Sequence, residues 1–92
     1  MKTTDKELER VIKALANSRR IAIVRHVMRR REVSVGDIAE AIRLSLWATS
    51  RHLSRLYAAG ILEKEQRSLQ MFYRIADDIP THASKLIAIL KT

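Results

Sequence analysis

The stretch Leu44-Ser45-Leu46-Trp47-Ala48-Thr49-Ser50-Arg51-His52-Leu53-Ser54-Arg55-Leu56-Tyr57-Ala58-Ala59-Gly60-Ile61-Leu62 decides how this chain folds. Ser45 has the chemistry of a helix N-cap, and Thr49, Leu53, Leu56 and Tyr57 follow on one side at helical spacing. At about 100° per residue, Trp47, Ser50, Arg51, Ser54 and Ala58 fall on the opposite side. That stripe combines small hydroxyls, an aromatic ring and a guanidinium, and it contains no acid. Such a face enters a DNA groove without repelling phosphates, and it offers donors to base edges and backbone oxygens. Gly60 stands where a helix commonly ends on a left-handed residue. The segment is predicted to be a recognition helix.

Upstream, Ser34 and Asp37 have capping spacing for a short helix carrying Val35, Ile38, Ala39 and Ile42, and Arg43-Leu44 makes a tight connection onward. Two short helices joined this closely, the second with a polar outer face, predict a helix-turn-helix. Before them, Asn17 or Ser18 caps a helix with Ile21, Val24, Val27 and Met28 at helical spacing, Ala22 and Ile23 beside them, and arginines on its other side. Thr4 and Glu7 have the spacing of a capping box for a first helix striped by Leu8, Val11, Ile12 and Leu15. Downstream of Gly60 the period changes to two. Residues 61–66 and 69–75 read as a hairpin turning near Gln66-Arg67-Ser68, a wing with Arg67 near its tip. Pro80 is expected to start a last helix bearing Ala83, Leu86, Ile87 and Leu90. The expected fold is mainly α with a small β-hairpin, a winged helix-turn-helix in the order α-α-α-α-β-β-α, forming a single domain over residues 1–92.

The chain has 92 residues, 47% of them hydrophobic, which supports one modest core and favours dimerisation as a source of further burial. A net charge of +8 points to a polyanionic partner, most economically nucleic acid. Between Asn17 and Arg31 lie six arginines (Arg19, Arg20, Arg25, Arg29, Arg30 and Arg31) and no acid. The absence of cysteine rules out disulfides, thiolate metal sites and cysteine redox sensing. The first residues lack the apolar core of a signal peptide, and no apolar run approaches the roughly 20 residues that span a bilayer, so a cytoplasmic protein with no membrane partner is expected.

Each candidate residue has a plainer reading beside the functional one. Arg51 is expected at a guanine edge or a phosphate, against a merely solvated arginine. Ser45 and Ser54 share its helix end and face. Ser50 either bonds DNA or back-bonds within its own turn. His52 lies partly toward the core and either touches a phosphate or packs at the helix junction. Trp47, beside Leu46, presses on thymine methyls, covers the domain's own surface, or docks a protein. Arg55, Lys64 and Arg67 are candidates for phosphate contacts. The arginines of the second helix read as a solvated face that adds to the attracting field, and His26 and His82 as surface or interface residues. An enzyme is not expected: there are two glycines, no phosphate loop and no nucleophile with a base, and Ser50 and His52 point about 200° apart on a helix.

The order of these features resembles the ArsR family of bacterial and archaeal winged-helix transcriptional regulators. The resemblance runs through Ala14-Leu-Ala-Asn-Ser-Arg-Arg-Ile21, Val33-Ser-Val-Gly-Asp-Ile-Ala-Glu-Ala-Ile42, Ser50-Arg-His-Leu53, Ala59-Gly-Ile-Leu62 and Phe72-Tyr-Arg-Ile75. It implies a homodimer joined through the first and last helices, by Leu8, Val11, Ile12, Leu86, Ile87 and Leu90. It also implies a near-palindromic operator whose major groove is read by the fourth helix, with the wing on flanking backbone or minor groove. Many members are repressors released by a metal or another signal. Where one metal-sensing branch has Cys-Val-Cys, this chain has Ser34-Val35-Gly36. Of a second zinc site, Asp78 and His82 imitate only the first half, so no metal and no cofactor are expected. Arg43 replaces a glycine common in the turn, at about 1 kcal/mol if that residue is left-handed. The resulting expectation is a sequence-specific, double-stranded-DNA-binding, homodimeric repressor of unknown effector. The alternative is an interaction module docking a partner through Leu46 and Trp47.

Overall fold

Four helices begin where a short polar side chain closes on the backbone three residues ahead. Thr4 accepts from the Glu7 amide at 3.1 Å, and Glu7 returns the bond to the Thr4 amide, which opens α1 (Asp5–Leu15) with a complete capping box. Asn17 accepts from the Arg20 amide and opens α2 (Ser18–Arg30). Ser34 accepts from Asp37 and opens α3 (Val35–Ile42), and Ser45 accepts from Ala48 and opens α4 (Leu46–Ala58). Each cap satisfies an amide that the helix leaves orphaned, worth about 1 kcal/mol. The structure is a computed structural model that describes residues 4–79 and 81–91, apart from the side chain of His82. The expected helix start at Pro80 lies outside the described residues; the last helix, α5, runs Thr81–Ile89.

The wing consists of β2 (Leu62–Arg67) and β3 (Gln70–Ile75), antiparallel with Leu62 opposite Ile75 and Arg67 opposite Gln70. The turn is therefore Ser68-Leu69, one step later than the sequence placed it, with Ser68 at φ 55°. Ile61 is excluded from the strand because its amide bonds the Leu56 carbonyl at the end of α4. A third strand, β1 (Val33–Ser34), pairs with β3 through Val33–Tyr73 and Ser34–Phe72, giving the order β1-β3-β2. Two residues are too few to show a period of two, so this strand was missed from sequence. It ties the start of the helix-turn-helix to the wing.

The core is filled by Val11, Ile23, Val24, Val27, Ile38, Leu53, Leu56, Ile61, Leu62 and Tyr73, with Ala83 and Ile87 of α5. Three expectations are corrected here. Tyr57 is 45% exposed rather than in the core, because it lies at the edge of the buried stripe, about 40° past Leu53. On α2, Ile23 is fully buried while Ile21 is only half-buried, since the helix turns that flank toward α3, α4 and β3. Val11 and Ile87 are buried inside their own domain, at 0% and 4% exposure, and so are not available to a second copy.

Both helices of the helix-turn-helix end in the same hydrogen-bond pattern with different residues. After α3, Arg43 is left-handed (φ 56°, ψ 52°), its amide bonds Glu40 and the Leu44 amide bonds Ala39. After α4, Gly60 has φ 79°, its amide bonds Tyr57 and the Ile61 amide bonds Leu56. A methyl group at Gly60 would meet nothing within 4 Å, so only backbone strain opposes a side chain there. Gly60→Ala is expected to destabilise, and Arg43→Gly to stabilise, by about 1 kcal/mol each. Thermal melts should show shifts of roughly 4–8 °C in opposite directions, and equal signs would refute the shared geometry.

Candidate nucleic-acid interface

The buried side of α4 is Thr49, Leu53 and Leu56, which pack against α2, α3 and the wing. That packing turns Trp47, Ser50, Arg51, Ser54 and Arg55 outward, where all are exposed. Ser45 sits at the helix entrance, its hydroxyl oxygen occupied by the Ala48 amide. Arg51 lies over the Trp47 indole, with its Cζ 4.9 Å from the ring centre. The helix thus offers hydroxyls, two guanidinium groups and an indole, and carries no carboxylate along its length.

His52 faces inward, at the junction of three helices. Its Nδ1 is 3.2 Å from Nη1 of Arg20, which donates to it, so the neutral ring carries its hydrogen on Nε2. Arg20 also donates from Nε to the Ala14 carbonyl at 2.6 Å and from Nη2 at 3.4 Å to the Lys13 carbonyl, which also accepts from the Ala16 amide at the end of α1. Of the two readings left open for His52, the geometry favours packing at the junction. Burial, then the charges of Arg20, Arg19, Arg55 and Arg51, push its pKa below the usual value of 6.5. His26 is lowered too, by burial and then by Arg30 and Arg29, against a smaller opposing effect of Asp37. Unfolding raises both toward 6.5, so the unfolded chain binds more protons in the window just below that value. Stability is therefore expected to fall as pH drops from 7.5 through about 6, and a flat profile of urea midpoints over that range would contradict it.

The wing carries a different balance. Arg67, expected near the tip as a phosphate contact, is engaged by both carboxylate oxygens of Glu32 at 2.6 Å and by Glu65 at 3.2 Å, and it stacks on Phe72. Arg74 bonds Glu63 at 3.0 Å and lies within 4 Å of Glu32 and Glu65. Arg67 holds the carboxyls of Glu32 and Glu65 below their usual range, first through its hydrogen bonds. Glu32 reaches the wing because Arg31 (φ 67°, ψ −50°) closes a tight turn in which the Glu32 amide bonds the Arg30 carbonyl. No local pattern in the sequence signals this contact, which spans 35 residues. Lys64 lies over the Tyr57 ring at 4.4 Å, which explains how that exposed tyrosine is used.

The α2 side keeps its charge. Among the described residues, Arg19, Arg20, Arg25, Arg29, Arg30, Arg31, Arg51 and Arg55 form no ion pair with a carboxylate, whereas both wing arginines do. Arg19 and Arg25 are held instead by the carbonyls of Ile42 and Leu90, each at 3.3 Å. The positive field of this protein therefore arises from α2 and α4, while Glu32 together with the wing's own acids balances the wing arginines.

On the opposite flank, where α1 packs on α5, Ile12 is 49% exposed, and Leu8, Leu86 and Leu90 are half-buried. Ser34 is buried as a cap rather than free as a ligand. Asp78 is exposed, and the side chain of His82 lies outside the described residues. Among the described residues no three histidine, aspartate or glutamate side chains converge as a metal site would require. No described helix is long and apolar enough to cross a membrane.

A helix-turn-helix whose second helix turns an acid-free face outward, backed by a three-stranded sheet that includes the wing, defines a winged helix-turn-helix protein. Residues 17–64 match the model of the arsR family of bacterial regulatory proteins, and the chain belongs to that family. It is 33% identical over 70 residues to the arsenic resistance transcriptional regulator ArsR1 of Pseudomonas putida, a match covering 76% of this chain and 55% of that protein. It is 30% identical to the transcriptional activator HlyU of Vibrio cholerae over 87% of this chain and 70% of HlyU. A solved structure of that HlyU superposes with a TM-score of 0.81 at 28% identity, covering 98% of this chain and 94% of the other. The homodimeric winged helix-turn-helix DNA-binding domain of a possible ArsR-family regulator from Mycobacterium bovis gives 0.79 at 29% identity, covering 97% and 84%. The chain spans about half the length of ArsR1. ArsR1 and HlyU are described as transcriptional regulators, and the Mycobacterium bovis domain as a possible one.

Proposed function

We propose that this chain is a homodimeric regulator of transcription that binds a specific double-stranded DNA sequence and represses from it. The observation that carries this reading is the outer face of α4, where Trp47, Ser50, Arg51, Ser54 and Arg55 are exposed without a neighbouring acid on the helix. Ser45, Ser50 and Ser54 bond phosphate or base, Arg51 reads a base edge, and Arg55 and Lys64 anchor backbone. His52 orders the helix from behind. Arg67 contributes by stiffening the wing, since its donors are already occupied. Pairing through Leu8, Ile12, Leu86 and Leu90 sets two recognition helices in successive major grooves, with half-sites about 34–36 Å apart. The protein acts without the metal sites formed at the start of the third helix or along the last helix in its family.

The test is binding to the DNA upstream of its own gene against a scrambled duplex over a salt series. A preference of about a thousandfold or more at physiological salt supports the reading, whereas equal and steeply salt-dependent binding refutes it. A promoter fusion then separates repression from activation, and Ile12→Glu should give a monomer by sedimentation if the α1–α5 flank is the interface. A second reading rests on Leu46 and Trp47, exposed at 60% and 70%: an apolar patch docking a protein partner. Under it, Trp47→Ala abolishes partner capture and leaves DNA affinity unchanged.

A further inference from the structure

Trp47 and Arg51 form a unit that DNA binding in general does not require. They stand one turn apart on α4, with the guanidinium carbon 4.9 Å from the centre of the indole. The indole remains 70% exposed, and Leu46 beside it 60%. Stacking on an aromatic face fixes the plane of a guanidinium but leaves its in-plane N–H donors free. Among the described residues, no carboxylate takes those donors. One turn of helix thus presents, side by side, an oriented two-pronged donor and an uncovered apolar surface.

The major groove has one partner for each. Guanine offers the N7 and O6 acceptor pair that matches an arginine fork, and the thymine 5-methyl group is the apolar feature of a base edge. The separation of 4.9 Å is nearer to one base step, about 3.4 Å, than to two, about 7 Å, and points to neighbouring bases. The surrounding serines and Arg55, with no acid on the helix, suit a polyanion and not a basic or purely apolar surface.

Resting on the DNA-binding reading above, we infer that α4 recognises a thymine adjacent to a guanine. Arg51 donates to N7 and O6 of the guanine. Trp47, with Leu46, covers the thymine methyl and at the same time holds the Arg51 plane. Trp47 is therefore a specificity-determining and positioning residue.

The experiment selects duplexes from a random pool with the purified full chain, then replaces the thymine beside the selected guanine by uracil, which deletes only the methyl group. The expected result is an adjacent thymine and guanine in each half-site and a roughly fourfold weaker complex for the uracil duplex, the size of one buried methyl contact. Trp47→Ala should bind the thymine and uracil duplexes equally, and Arg51→Ala should lose the preference for guanine. Both side chains are exposed, so equal melting temperatures of the variants verify that the fold is intact. Wild-type protein that binds both duplexes equally, or Trp47→Ala that keeps the fourfold ratio, overturns the inference while leaving specific DNA binding in place. A pool that enriches no sequence overturns the DNA-binding reading as well.

Discussion

Arg20→Met is expected to destabilise the domain by about 2–3 kcal/mol, lowering its melting temperature by roughly 10–20 °C. The methionine keeps the apolar stem but removes all donors from a site where three acceptors converge: the Ala14 and Lys13 carbonyls and Nδ1 of His52. Two of these belong to the end of α1 and the third to α4, so one guanidinium on α2 joins its neighbour α1 to a helix distant in sequence. Half-burial limits how far water can replace it, and a partly buried acceptor left unpaired costs more than the net value of the bond it lost. Arg20→Lys should not restore stability, because a single ammonium cannot reproduce a planar fork serving acceptors in different directions. A melting temperature within about 2 °C of wild type for Arg20→Met would show that the fork is dispensable. Removing the neighbouring positive charge should also let the His52 pKa rise toward its usual value, which proton NMR of the imidazole reports directly.

Arg51→Ala should weaken binding to the specific duplex by about 1–3 kcal/mol, or roughly 5–150-fold, while non-specific binding loses only the contribution of one charge. Its guanidinium stands on the outer face of α4, stacked on Trp47 and without a carboxylate partner among the described residues. Lysine at this position should recover the charge but not the specificity, since a point charge lacks the two-pronged donor. Equal losses on specific and scrambled DNA would reduce Arg51 to a phosphate contact. Arg67→Ala offers the contrast: its charge is already balanced by Glu32 and Glu65, so its loss should loosen the wing more than it lowers the salt dependence of DNA binding.

Much of this architecture is local, and local features are legible in a single chain. The four N-caps depend on residues three apart, so Thr4, Ser34 and Ser45 are legible in the sequence, and the structure chooses Asn17 over Ser18 for the second helix. The left-handed ends at Arg43 and Gly60 follow from where the apolar periods stop. The outward face of α4 follows from a wheel, because its buried side is set by Thr49, Leu53 and Leu56. Tyr57 shows the limit of that method: a position at the edge of the buried stripe, about 40° past Leu53, is settled by what stands next to it, here Lys64 from the wing.

The sequence alone determined the helix boundaries, the helix-turn-helix, the hairpin, the excess of positive charge and the polar side of the recognition helix. All of these arise from interactions within a few residues or from composition. Only the tertiary structure decided where the charge acts. The turn at Arg31 carries Glu32 to Arg67 and Arg74 and neutralises the wing, leaving the field to α2 and α4. Tertiary packing also decided that Val11 and Ile87 serve the domain's own core, that two residues at 33–34 form a strand, and that Arg20 reaches across to His52. The physical reason is common to all four. Each depends on side chains brought together by chain closure over tens of residues, and no periodicity encodes which distant partner a charge or an apolar group will meet.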